Sequence, residues 1–215
     1  MNNRAWLVVL LVTVFAVSRY PGLLPANFSV AYALVFCSGV YLRGSLGWWL
    51  PLVVMLATDL ALDAYYSCQG SSVWNLNTLE WMAFQYVAYA LILLLGRAFR
   101  PNSHFLGLLG GGILGAFLFY FITNTAAWLV NPAYPHNLPG WLTALTKGMD
   151  GYPSTLSFFL KTLFSGGLFT ALFTAAEKLT AESPADKTAG AREPADESGA
   201  SPEPEPAAEP KEAGA

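Results

Sequence analysis

The chain has 215 residues, of which 54% are hydrophobic, 14% aromatic and only 12% charged. The net charge of −3 is set by the end of the chain: ten Asp/Glu and four Lys/Arg lie from Glu177 onward, against four acids and seven basic residues in 1–176. So few charges among repeated apolar runs exclude a soluble core and point to a polytopic membrane protein, and nothing suggests a nucleic-acid partner.

Ala5 to Val17 (AWLVVLLVTVFAV) is an apolar run behind Arg4. It has the form of a signal-peptide core with Ala16-Val17-Ser18 as cleavage site, or of an uncleaved first span continuing to about Pro21. Five further spans follow, which favours the uncleaved span. The second span, about Asn27 to Leu42, is entered through YPGLLPANFS. Pro21 and Pro25 make that entry an irregular turn, because the residue before a proline is pushed out of the helical region.

The third span, Ser45 to Tyr66 (SLGWWLPLVVMLATDLALDAYY), is roughly 33 Å long as a helix, enough to cross a bilayer. It carries Asp59 and Asp63, four residues apart and so on one helix face. A charge near the bilayer centre costs about 2.5 kcal/mol or more, so it turns to a cavity or a partner. The fourth span runs from about Leu79 to Phe99 and contains Gln85; the fifth, Phe105 to Val130, ends in Thr123-Asn124-Thr125 and Trp128. A long loop then leads to the sixth, about Ser154 to Ala176, which contains Lys161.

Positive charges in short loops set orientation. With the N-terminus inside, Arg4, Arg43, Arg97, Arg100 and Lys178 are cytoplasmic, and only Arg19 and Lys147 lie outside. Trp6, Trp48 and Trp49 then fall at the inner interface and Trp74, Trp81, Trp128 and Trp141 at or beyond the outer one, where amphipathic rings concentrate. From about Ala181 the chain has no aromatic residue and no Leu, Ile, Val or Met. Such a segment cannot bury enough apolar surface to offset the entropy of ordering.

No HExxH or GxSxG motif is present, Cys37 and Cys68 lie at different depths, and His104 and His136 fall on opposite sides of the membrane. An intramembrane aspartyl protease needs aspartates on two facing helices, whereas Asp59 and Asp63 share one. No catalytic residue, metal or cofactor is therefore expected. What remains is a polar level in the outer half of an otherwise apolar bundle. By helical rise, Asp59 and Lys161 lie roughly 10 Å, and Asn124 and Gln85 roughly 9 Å, below the outer ends of their helices. Asp63 is one turn shallower and Asn27 sits at the mouth of the second span.

Such residues either line a pocket or hold the bundle together through interhelical hydrogen bonds of about 0.6 kcal/mol each. An Asp59–Lys161 ion pair is one form of the second reading. In the first, the 131–153 loop forms a lid. Gly107, Gly111 and Gly115, and more weakly Ala57 and Ala61, have the spacing of close helix packing.

The blocks ANFSVAYAL, LATDLALD, ITNTAAWLV and GYPSTLSFFLKTLFSGGLFTALF, spread over residues 20–175, resemble an uncharacterised bacterial family of integral membrane proteins. More distantly the layout is similar to the S components of energy-coupling-factor transporters. That resemblance implies six helices, N-in and C-in, and a small-molecule site in the outer half. S components meet their membrane partner through an AxxxA-type ridge on the first helix, which AWLVVLLVTVFAV lacks.

The expectation is an all-α membrane protein: six transmembrane helices, N-in/C-in, over residues 1–180, and a disordered acidic cytoplasmic tail over 181–215. The resemblance places it in the bacterial inner membrane. Asp59, Asp63, Asn124, Lys161, Gln85 and Asn27 are the expected contacts of a small molecule bound or transported. The expected partners are the bilayer, that ligand and a membrane protein. The competing reading is a scaffold protein without a ligand.

Overall fold

A computed structural model describes residues 5–26, 28–42, 44–71 and 76–181. Among the described residues the chain is all helix: α1 (Ala5–Ser18), α2 (Ala31–Tyr41), α3 (Leu46–Cys68), α4 (Leu76–Arg97), α5 (Phe105–Val130), α6 (Leu138–Leu145) and α7 (Thr155–Ala181). Four of them, α3, α4, α5 and α7, are long and apolar enough to cross a bilayer. The first two expected spans are shorter as helices. With 14 and 11 residues, α1 and α2 reach only about 21 and 16 Å, against about 30 Å of hydrocarbon. The first run ends at Ser18 rather than near Pro21, and α2 begins at Ala31.

The molecule is built around α2. All 11 of its residues are buried, and α1, α3, α4 and α5 pack against it. A helix apolar on every side has no polar face to offer water and so belongs at the centre. α1 contributes Leu7, Leu11 and Phe15, one stripe at four-residue spacing, all fully buried. From α3, α4 and α5, Met55, Ile92, Leu93 and Leu108 close the same core.

The α2–α4 crossing is set by two glycines. A Cβ on Gly39 would sit 2.6 Å from the Leu93 carbonyl oxygen and 3.1 Å from Gly96 Cα, so only hydrogen on both sides allows the backbones to meet. Gly44, at φ +80°, turns the chain from α2 toward α3 in a conformation that glycine adopts without steric cost. Arg97 fastens this turn: its guanidinium lies 4.5 Å from the Trp48 ring centroid and its Nη2 donates to the Gly44 carbonyl at 3.2 Å.

Along α5 the expected ridge is only partly used. Gly111 faces the Phe36 and Phe99 rings and Gly115 faces Ile92, but Gly107 is exposed and meets nothing within 4 Å. Gly112, outside that spacing, is the contact point for Thr170 of α7, and Gly166 lies against Ala116. Ala57 and Ala61 are exposed and form no packing ridge.

Two connections differ in character. Between α1 and α2, residues 19–26 and 28–30 are irregular, with Leu23 N–H donating to the Tyr20 carbonyl at 3.1 Å and Phe28 N–H to the Pro25 carbonyl at 3.0 Å. This is the irregular entry that the two prolines predict. The 131–153 segment, by contrast, contains the helix α6. Asn137 caps it, accepting from Gly140 N–H at 2.9 Å, and Pro139 lies in its first turn.

Candidate functional site

Asp59 lies in the C-terminal half of α3, and its carboxylate is only 14% exposed. Its partner is Arg19, just past the end of α1, whose Nη2 donates to Oδ1. The other oxygen, Oδ2, accepts from the Tyr86 hydroxyl of α4 at 3.0 Å. Three elements far apart in sequence therefore converge on one carboxylate, and both of its oxygens are engaged. A charge at that depth is stable only with such compensation. Arg19 is less well matched. Its guanidinium stands 5.7 Å from the Phe15 ring centroid, but its buried Nε–H has no hydrogen-bond partner among the described residues.

The pair borders a recess of about 430 Å³. One wall is the end of α1 and the chain after it, from Ser18 to Gly22, Leu24 to Ala26, and Phe28 and Ser29; the other consists of Tyr32, Asp59, Tyr66, Gln85, Tyr89 and Phe119. A smaller recess of about 200 Å³ shares Tyr32, Gln85 and Phe119 with it and adds Trp81, Thr123, Asn124 and Thr162. The shared wall is aromatic. Phe119 lies between Tyr32, 4.8 Å away by ring centroid, and Tyr89, 5.1 Å away and nearly parallel. Offset contacts of this kind hold rings in fixed positions.

The expected site residues divide. Asp59 lines the larger recess, Asn124 the smaller and Gln85 both. The Asn124 amide donates back to the Tyr120 carbonyl at 2.8 Å. Asp63 is half-buried and lines neither recess. Lys161 lies on an exposed face of α7, lines neither, and makes no ion pair among the described residues. The Asp59–Lys161 pair is thus replaced by Asp59–Arg19, because α1, not α7, delivers the cation to this face of α3. Asn27 lies outside the described residues.

The proposed lid is also elsewhere. The 131–153 segment is strapped along α5: Trp128 Nε1 donates to the Pro135 carbonyl at 2.8 Å, Trp141 Nε1 to Thr125 Oγ1 at 3.1 Å, and the Tyr120 hydroxyl to the Leu145 carbonyl. Among the described residues it contributes nothing to either recess. The chain over the larger recess is instead the Ser18–Ser29 segment. Arg19, Tyr86 and the aromatic wall escaped the sequence reading. One signal was available for Arg19, which is the first basic residue after the apolar run that forms α1.

No three His, Cys, Asp or Glu side chains group to hold a metal ion among the described residues. Four membrane-length apolar helices and a polar recess walled by aromatic rings define a helical membrane protein. Over residues 1–187 the chain matches the model of a family of unknown function (DUF6580), and it belongs to that family. No curated protein and no solved structure matches it.

Proposed function

We propose that the protein crosses the bacterial inner membrane six times, N-in/C-in, and binds or transports a small molecule in the recess beside Arg19 and Asp59. α1 and α2 complete the six crossings. On this reading α2 covers the inner part of its crossing and the irregular residues 19–30 the outer part. Irregular backbone is tolerated at membrane depth where it lines a protein- or water-filled cavity, and these residues do line the larger recess. That coincidence is the observation that carries the proposal. The excess of basic residues in alternate short loops supports the orientation. The similarity in layout to S components supports binding in the outer half, and a membrane protein partner. Residues 181–215 then form a cytoplasmic tail, and the protein performs no chemistry of its own.

The alternative, a scaffold with polar glue, is favoured by one observation: both Asp59 oxygens are already engaged. Water access separates the two. Gln85→Cys, in a background without Cys37 and Cys68, should react with a membrane-impermeant maleimide added from outside. Native mass spectrometry of the purified protein should also show a retained small molecule. An unreactive Cys at 85 together with a bare protein mass would leave the scaffold reading standing.

A further inference from the structure

The chemistry of the larger recess narrows what it can hold. Asp59 is already compensated within the protein: each of its oxygens accepts a hydrogen bond, one from Arg19 and one from Tyr86. Arg19 is in the opposite state. A guanidinium carries five N–H donors in a planar fork, the contact with Asp59 is made through Nη2, and Nε–H on the same side chain has no partner among the described residues. The unmet demand at the pair is therefore for an acceptor.

The amino end of α2 adds to that demand. Phe28, Ser29 and Tyr32 flank this end and line the recess, and Val30 provides no side-chain cap. Ser29 Oγ accepts from Ala31 N–H at 3.1 Å, and the first helical bond runs from Leu34 N–H to the Val30 carbonyl. The intervening Tyr32 and Ala33 amides belong to the helix turn whose N–H groups have no partner within the helix. The positive end of the helix dipole, with amides that have no partner within the helix, favours an anion, as at interrupted helices in other membrane proteins. The remaining wall is rings: Tyr32, Tyr66, Tyr89 and Phe119, with Phe28 at the rim.

Resting on the small-molecule reading above, we propose that the recess takes a flat organic carboxylate. Its acid group faces Arg19 and the amino end of α2, and its ring or conjugated body lies against Tyr32, Tyr89 and Phe119. The test uses the full-length protein in phosphatidylcholine nanodiscs and three probes of one shape and different charge: benzoate, benzamide and benzamidine. Saturation-transfer NMR reads their binding. Benzoate should bind about tenfold or more tightly than either of the others, the advantage of a charge-assisted contact. Arg19→Gln should remove that preference without changing benzamide binding.

Because Arg19→Gln can unfold the protein, a second measurement keeps the native pair. Benzoate, and not benzamidine, should protect Gln85→Cys from maleimide. Preference for benzamidine, or equal binding of all three, overturns the carboxylate assignment. So does failure of every probe to bind or protect. If Gln85→Cys still reacts in those cases, the recess reading survives; if it does not react, both fall.

Discussion

Arg19 and Asp59 bear on stability and on the recess at once, and the two roles make different demands. Removing one partner leaves the other charge without compensation in a site that is 14–26% exposed. Breaking a buried pair costs about 3–5 kcal/mol, and partial exposure here favours the lower end. Arg19→Met should therefore lower the melting temperature strongly, and Asp59→Leu added to it should restore much of the loss. Tyr86→Phe removes a hydrogen bond to a charged group, worth about 1.5–3 kcal/mol before water refills the place. Lys161→Met should change stability by less than about 0.5 kcal/mol, because an exposed side chain without an ion pair loses little. Thermal unfolding in one detergent compares all four. A melting-temperature drop for Lys161→Met as large as that for Arg19→Met would mean that the lysine has a partner on this face after all.

At the scale of helices, the legible part of the chain is where length and apolar content are unambiguous. The bounds of α5, Phe105–Val130, coincide with the expected span, and α3 and α7 begin within a residue of theirs. Less legible is which face of a helix meets which neighbour. Glycines at 107, 111 and 115 share a spacing, yet only the latter two reach another helix, while Gly112 faces α7. Spacing defines a stripe, and only the packed bundle says how far along it a partner extends. Arg19 was missed for the same reason, since nothing in its neighbours indicates that α1 lies against α3. α6 was missed because eight residues are too few for a periodic signal, although Asn137 and Pro139 are good starting residues. The glycines supply a paired test. Gly39→Ala forces a methyl against the Leu93 carbonyl, a backbone atom that cannot rotate away, and should cost about 1–3 kcal/mol or more. Gly107→Ala meets open space and should stabilise α5 by up to about 1 kcal/mol through helix propensity. Equal losses for both in thermal unfolding would contradict the assigned crossing.

For the whole molecule, the topology turns on whether α1 and α2 each carry the chain across. Four helices have the length for it; α2 has about half. If residues 19–30 and α2 together make one crossing, the connections after α2 and α4 lie on one side and the 131–153 segment on the other. Fusions of a cytoplasm-active reporter after Arg100 and after Lys178 should then be active, and a fusion near Asn137 silent. Activity near Asn137 with silence after Arg100 would invert the orientation. If Arg100 and Lys178 read on opposite sides, α5, the 131–153 segment and α7 do not make two crossings. The same arrangement predicts a gradient of protection within one crossing. Backbone amides of residues 19–26 and 28–30, which among the described residues bond only in short turns beside a recess, should exchange with deuterium in minutes. Those from Leu34 to Leu42, buried and bonded within α2, should resist for hours, because opening them requires the central helix to leave its neighbours. Uniform slow exchange from 19 to 42 would mean that the segment is as dry and as firmly packed as the helix, and water would then have no route to Arg19.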